Sequence, residues 1–214
     1  ARIRVESSIY SDVGDTCATN FSILNPGVTL SSPDGGETFA IGRSETIRFL
    51  RVQVAAVNVY LNRNYPSGSW EQIASNLASD SLVWTATGPA STLCRVKVVN
   101  ASNATQLDQS SANFSILQPS ISLLTPILGD TLAIGLANQI LISRNAAAAG
   151  SVRLDVNTNY PSGAWQSLGT SIGNEFYWNP PAPPSTNARL RIVHQNFSAV
   201  GDTLEFNIPI DYAS

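Results

Sequence analysis

The heptapeptide Asn-Tyr-Pro-Ser-Gly-Ser-Trp at 64–70 returns as Asn-Tyr-Pro-Ser-Gly-Ala-Trp at 159–165. So long a match makes the chain an internal repeat, and the rest follows from its period. Pro33 and Gly42 fall on Pro126 and Gly135 at a separation of 93. After a two-residue gain within "RNAAAAG", Trp70 falls on Trp165, 95 apart. Trp84 then meets Trp178, and "CRVKVV" (94–99) meets "ARLRIV" (188–193). The opening residues also belong to the repeat: "IRVESSIYSDVGDTCATNFSIL" lies 93 positions before "VKVVNASNATQLDQSSANFSIL", with Asp15, Phe21 and Ile23 on Asp108, Phe114 and Ile116. The expected organisation is the last quarter of a module at 1–25, then full modules at 26–118 and 119–214. The chain contains no Met, which fits a piece processed or taken from something longer.

Within a module the apolar period is two. Val57, Val59 and Leu61 alternate with polar neighbours, as do Val96 and Val98, and Ile47 shares a face with Phe49. Alternation over short runs that close at Gly, Pro, Asn or Asp predicts strands, here near 28–32, 38–41, 45–51, 56–63, 69–75, 81–86, 93–99 and 109–117. No helix is expected. So many strands in ~93 residues predict an all-β chain of tandem immunoglobulin-like antiparallel β-sandwiches, the first module incomplete.

In the repeated heptapeptide, Pro66 stands second and Gly68 fourth of a four-residue turn. Pro presets φ and a left-handed Gly lets a hairpin resume pairing, so the motif predicts a hairpin turn. Trp70 and Trp165 follow at fixed spacing and are expected to anchor the module cores. The alternative is a platform of Tyr65, Trp70, Tyr160 and Trp165 on which sugar rings stack.

The order "VTLSSPDGGETFAIG", "IRF", "VNVYLNRNYPSGSWEQIA", "LVWTA", "RVKVV", "FSI" resembles the immunoglobulin-like modules of the Ser-Thr-rich fungal cell-wall family and of tandem repeats in bacterial secreted and surface proteins. The resemblance covers the whole chain and rests on turn and core positions. Two positions depart from it: Phe49 and Ile142 stand where a Trp is common, and "ILGD" lacks the double Gly of "DGGE". It implies an extracellular, non-catalytic spacer, scaffold or wall element, and it brings no catalytic residues.

Nothing in the motifs points to catalysis, a cofactor or a metal. His194 has no partner at ligand spacing and is expected at the surface. Asp15, Asp108 and Asp202 recur singly beside turns, which predicts turn formation rather than a calcium cluster. A net charge of −3 with no basic cluster makes nucleic acid an unsuitable partner. No apolar run reaches the ~20 residues of a membrane helix. Charged residues make up 13% of the chain, about half the usual share, and Ser, Thr and Asn stand in their place.

Five sequons, at Asn20, Asn100, Asn103, Asn113 and Asn196, are open to N-glycosylation. Asn20 and Asn113 are equivalent, and period two turns both outward beside an inward Phe. Cys17 and Cys94 occupy different module positions. End-to-end modules would separate them by on the order of 50 Å, against the ~7 Å between Cα atoms that a disulfide bridges. Free thiols or bonds to other chains remain. The partial module would expose unpaired strand edges unless copies of this chain or adjoining modules of a longer one complete it. The expectation is a non-enzymatic structural protein of the cell exterior, a glycoprotein segment of a filament, appendage or surface layer. Carbohydrate-binding or spacer modules of a secreted enzyme, or an adhesin segment, are the alternatives.

Overall fold

The computed structural model describes residues 1–213, and among them it contains strands, turns and one short 3-10 turn but no α-helix. The strands of the opening segment are β1 (Arg4–Glu6) and β2 (Gly14–Thr16). Next come β3 (Gly27–Ser32), β4 (Thr38–Ala40), β5 (Ser44–Val52), β6 (Val57–Asn62), β7 (Glu71–Leu77), β8 (Ser81–Thr85), β9 (Ser91–Asn100), β10 (Asn103–Gln109) and β11 (Phe114–Leu117). The second series is β12 (Ile121–Leu123), β13 (Leu132–Ala133), β14 (Asn138–Arg144), β15 (Val152–Asn157), β16 (Gln166–Ser171), β17 (Glu175–Trp178), β18 (Ser185–His194), β19 (Phe197–Thr203) and β20 (Ile208–Asp211).

Both series build the same pair of sheets. One is β3-β5-β8 and its counterpart β12-β14-β17. The other is β4-β11-β9-β6-β7, with β10 on β9, and its counterpart is β13-β20-β18-β15-β16, with β19 on β18. Strand for strand the two orders are identical, so the repeat read in the sequence is a repeat of topology. Two sheets per module, joined by connections that cross from one to the other, are the immunoglobulin-like sandwich.

Inward positions of both sheets share one core. In the second series Ile121, Ile140, Ile142 and Phe176 from one sheet cluster with Val152, Leu154, Val156, Ala188, Leu190, Ile192, Ile208 and Ile210 from the other. The first series buries Val28, Leu30, Ile47, Phe49, Val57, Val59, Leu61, Val96, Val98, Phe114 and Ile116 at matching positions. Each such side chain contributes about 1.5–3 kcal/mol on leaving water, so the alternation largely sets the register.

Some expectations change. The sandwiches are not wholly antiparallel: β11 runs parallel to β4 (Ile116 opposite Phe39), and β20 runs parallel to β13 (Leu132 opposite Ile210). The strand expected near 109–117 is shorter, Phe114–Leu117, and an unexpected strand, β10 at Asn103–Gln109, precedes it and hairpins back on β9. The two-residue gain at 144–150 forms the 3-10 turn Ala146–Ala148, capped by the Asn145 side chain. By Cα proximity the chain divides into one unit of Ala1–Gly36, Thr46–Trp84 and Leu93–Phe114, and a second of Glu37–Glu45, Thr85–Thr92 and Ser115–Ser214. These units do not follow the repeat, and the module boundaries at 25/26 and 118/119 stand as a proposal from the sequence. Among the described residues no helix is long and apolar enough to cross a membrane.

Candidate functional site

The heptapeptide fills the loop between β6 and β7, and the residue that organises it lies just before it. Asn62, the last residue of β6, is buried, and its Nδ2 donates to Gly68 O at 2.7 Å while its Oδ1 accepts from Asn64 N at 2.9 Å. Gly68 N donates to Asn64 O at 2.6 Å, and Tyr65 N donates to Leu93 O at 2.9 Å, pinning the loop to the start of β9. The second module repeats the set: Asn157 Nδ2 to Gly163 O at 2.7 Å, Asn159 N to Asn157 Oδ1 at 3.0 Å, Tyr160 N to Asn187 O at 2.9 Å.

The Gly requirement is therefore different from the one expected. Neither Gly68 nor Gly163 has a positive φ. A Cβ on Gly68 would come within 2.5 Å of Asn62 Oδ1, and on Gly163 within 2.4 Å of Asn157 Oδ1. Glycine is needed because the buried amide lies against the backbone. The Tyr65–Pro66 and Tyr160–Pro161 bonds are cis.

Trp70 and Trp165 are half-buried rather than core anchors, because the loop carries them onto the outer face of the β9 and β18 sheets. There they meet cations that alternate with the inward apolar residues. Lys97 Nζ sits 4.3 Å from the Trp70 ring centre and 5.3 Å from Tyr60, and the Arg95 guanidinium lies 4.5 Å from Tyr65. In the second module Arg191 lies 4.4 Å over Trp165 and Arg189 lies 4.2 Å over Tyr160. The Tyr–Trp pairs stand 6.3 and 6.0 Å apart, inclined by 64° and 59°. Rings at such angles share no flat face, and each of the four carries a cation over it.

One difference between the two modules changes the charge on this face. Tyr60 opposite Lys97 is replaced by Asp155 opposite Arg191. Asp155 is buried and held by Arg153 at 2.8 Å and Arg191 at 2.7 Å. The bond to Asp155 raises the Arg153 guanidinium further above its ordinary value. In the first module, Ser111 donates to Asp34 from its hydroxyl and its main chain, holding that carboxyl below its usual 3.8.

The recurring Asn has a structural role. Asn113 Oδ1 accepts from Arg95 Nε at 2.8 Å, Asn20 from Arg2 at 2.8 Å, and Asn207 from Arg189 at 2.8 Å. Asn207 is followed by Ile-Pro and is no sequon, so the Arg–Asn bond recurs even where no N-glycan can be attached. Of the other sequons, Asn103 and Asn196 are exposed, whereas Asn100 uses Nδ2 in a 2.6 Å bond to Gln106.

Three further expectations are corrected. His194 is buried, in phase with Ala188, Leu190 and Ile192. Its Nδ1 accepts from Asn196 N at 3.1 Å, so Nε2 carries the proton and donates to Ala149 O at 3.1 Å. Asp108 and Asp202 are not turn formers. Each reaches the facing sheet, accepting from Leu30 N and Leu123 N at 2.8 Å. Cys94 is fully buried in β9, so the expectation of a bond to another chain does not extend to it while the module is folded. Cys17 is half-buried with a free thiol. Among the described residues no three His, Cys, Asp or Glu side chains group as metal ligands.

Sequence reasoning missed Asn62, Asn157 and Asp155. The first two carried a signal, since Asn-x-Asn-Tyr-Pro-Ser-Gly stands intact in both copies. Asp155 carried none, as it replaces a Tyr.

No family model and no curated protein matches the chain. Among solved structures it is similar to the fibronectin(III)-like modules of Clostridium thermocellum CbhA, at 14% identity over 87% of this chain and 95% of that one, with a TM-score of 0.32. It is also similar to a chimeric titin Z1Z2, at 13% identity over 90% and 100%, with a TM-score of 0.33. A tetra-tandem repeat from the extending region of a large adhesion protein matches at 11% identity over 94% and 53%, with a TM-score of 0.31. At this distance the reading of the chain rests on its own strand order and side chains.

Proposed function

We propose that the chain is a non-enzymatic structural segment of the cell exterior, part of an extended array of immunoglobulin-like modules in a filament, appendage or surface layer. The observation that carries this reading is what the repeat preserves. Both modules keep the buried Asn that closes the loop, the Arg–Asn bond and the Asp that ties the two sheets, and all three hold a module together. A ligand site would preserve outward, unengaged groups instead. Here the outward cations and aromatic rings engage one another. The resemblance to modules of the Ser-Thr-rich fungal cell-wall family and of bacterial surface repeats supports the same location, as does the low charge. Copies of this chain or adjoining modules are the partners this reading calls for, and N-glycans have room at the exposed Asn103 and Asn196.

Brief protease treatment of intact source cells, with peptide identification in the released and secreted fractions, tests the reading. Peptides of this chain should be enriched there over cytosolic markers. Their confinement to the cytosolic fraction would overturn it.

A further inference from the structure

We infer that the outer face of the second module carries a site for a carboxylate-bearing sugar, a hexuronate residue of an acidic polysaccharide. The site is a cavity of ≈ 510 Å³ bordered by Arg153 of β15, Arg191 of β18, and Ser198, Gly201 and Thr203 of β19. That volume lies within the ~300–1,000 Å³ of small-molecule sites.

Two guanidinium groups are held at its wall by one carboxylate beneath them. Asp155 is 2% exposed. Arg153 Nε and Nη2 donate to its Oδ1 and Oδ2 at 2.8 and 3.1 Å, and Arg191 Nε and Nη2 both donate to Oδ2, at 3.2 and 2.7 Å. The Trp165 ring, 4.4 Å from the Arg191 guanidinium, supports it from another side. A guanidinium has five N–H donors. Each arginine uses two on Asp155 and keeps three that have no hydrogen-bond partner among the described residues. Two cations on one anion leave the cluster one positive charge in excess, with its remaining donors already oriented. Such planar forks match a planar, monovalent oxyanion, which is a carboxylate.

The opposite wall offers groups suited to sugar hydroxyls. Thr203 stands opposite Arg191, and the register of β19 on β18 slips between Gly201 and Phe197, so that Ser198 to Val200 have no partner residue on β18. Ser198 and Ala199 border the cavity, and Ser198 is exposed at its rim. Gly201 keeps the floor open, since a Cβ there would collide with Ile192 O. Asp202 pairs with inward Ile192, and its carboxylate accepts from Leu123 N on the facing sheet, away from the two arginines.

The first module lacks this arrangement. Asn58, Tyr60, Lys97, Leu107 and Gln109 stand at the places of Arg153, Asp155, Arg191, Gly201 and Thr203. Asn58 Oδ1 accepts from Asn76 N at 3.0 Å, and the Lys97 ammonium lies between the Trp70 and Tyr60 rings. The site therefore belongs to what distinguishes the two modules and not to what the repeat preserves. It goes beyond the structural role and does not depend on it.

The test is NMR of the full-length chain titrated with tetragalacturonate, with the fully methyl-esterified tetramer and sodium acetate as comparisons. Millimolar tetragalacturonate should shift the side-chain N–H signals of Arg153 and Arg191 and the amides of 198–203, and leave the Trp70 ring unmoved. The methyl ester keeps the ring hydroxyls and loses the charge, so it should bind at least about tenfold more weakly. Arg153→Asn, which installs the residue of the first module, should weaken binding by a similar factor. Because that change also frees part of Asp155, Ser198→Phe is the companion variant. It blocks the rim with both arginines still on Asp155, and should give the same loss with Tm unchanged. No shift at these residues would overturn the proposal. Equal shifts from acetate would show a general anion site and overturn the sugar, and equal affinity for the methyl ester would overturn the carboxylate. Undiminished affinity in both variants would overturn the location.

Discussion

Replacing Asn62 by Ala removes two hydrogen bonds, at 2.7 and 2.9 Å, from a fully buried amide. At a net ~1 kcal/mol each, with Gly68 O and Asn64 N only partly regaining water, the loss is about 2–3 kcal/mol. For a module of about 93 residues that lowers Tm by about 10–20 °C. Gly68→Ala should cost a similar amount, because its Cβ would lie 2.5 Å from Asn62 Oδ1 and expel the amide. The two losses describe one event, so they cannot add. In the Asn62→Ala background, Gly68→Ala should cost less than about 1 kcal/mol, leaving a coupling of about 1–2 kcal/mol. Calorimetry of the four full-length proteins measures this, and Asn157→Ala should produce the same shift in the other module. Additivity within about 0.5 kcal/mol would refute the argument that Gly68 exists to admit the Asn62 side chain.

Asp155→Ala should destabilise its module by about 1–3 kcal/mol, less than for a wholly buried pair because Arg153 and Arg191 can turn to water; urea unfolding checks it, and no change would mean the pair contributes nothing. His194→Phe keeps the ring volume beside Phe197 but strands Ala149 O and Asn196 N, for a loss of about 1–3 kcal/mol in the same assay. The Asp34 carboxyl is held low by Ser111, so its contribution is present above its ordinary 3.8 and is lost as pH falls through the lower folded value. Asp34→Asn should remove that part of the acid limb, read as Tm against pH; an unchanged slope below ~pH 4 would contradict the assignment.

Strand existence was legible because alternation at period two is a local property, as in Val57-Asn-Val-Tyr-Leu61. The repeated loop and the repeated strand order were legible because each copy confirms the other. His194 was legible as well: it continues the inward phase of Leu190 and Ile192, and reading the lone imidazole for its chemistry hid its position. The parallel partners of β11 and β20 were not legible, since alternation says which face a residue takes and nothing about which strand lies alongside. Asn62 breaks the alternation outright. It follows inward Leu61 and should point to water, yet the loop folds over it and makes it the buried centre of the turn.

By itself the sequence determined the β class, the period, the phase of nearly every core residue and the equivalence of 1–25 with 94–118. Those are consequences of backbone pleat and local turn chemistry, which a short stretch encodes. Only the tertiary structure decided that Trp70 and Trp165 lie outside the core under cations and that Gly68 admits a side chain rather than a left-handed turn. Each depends on which distant atoms occupy the neighbouring space, and no local pattern carries that.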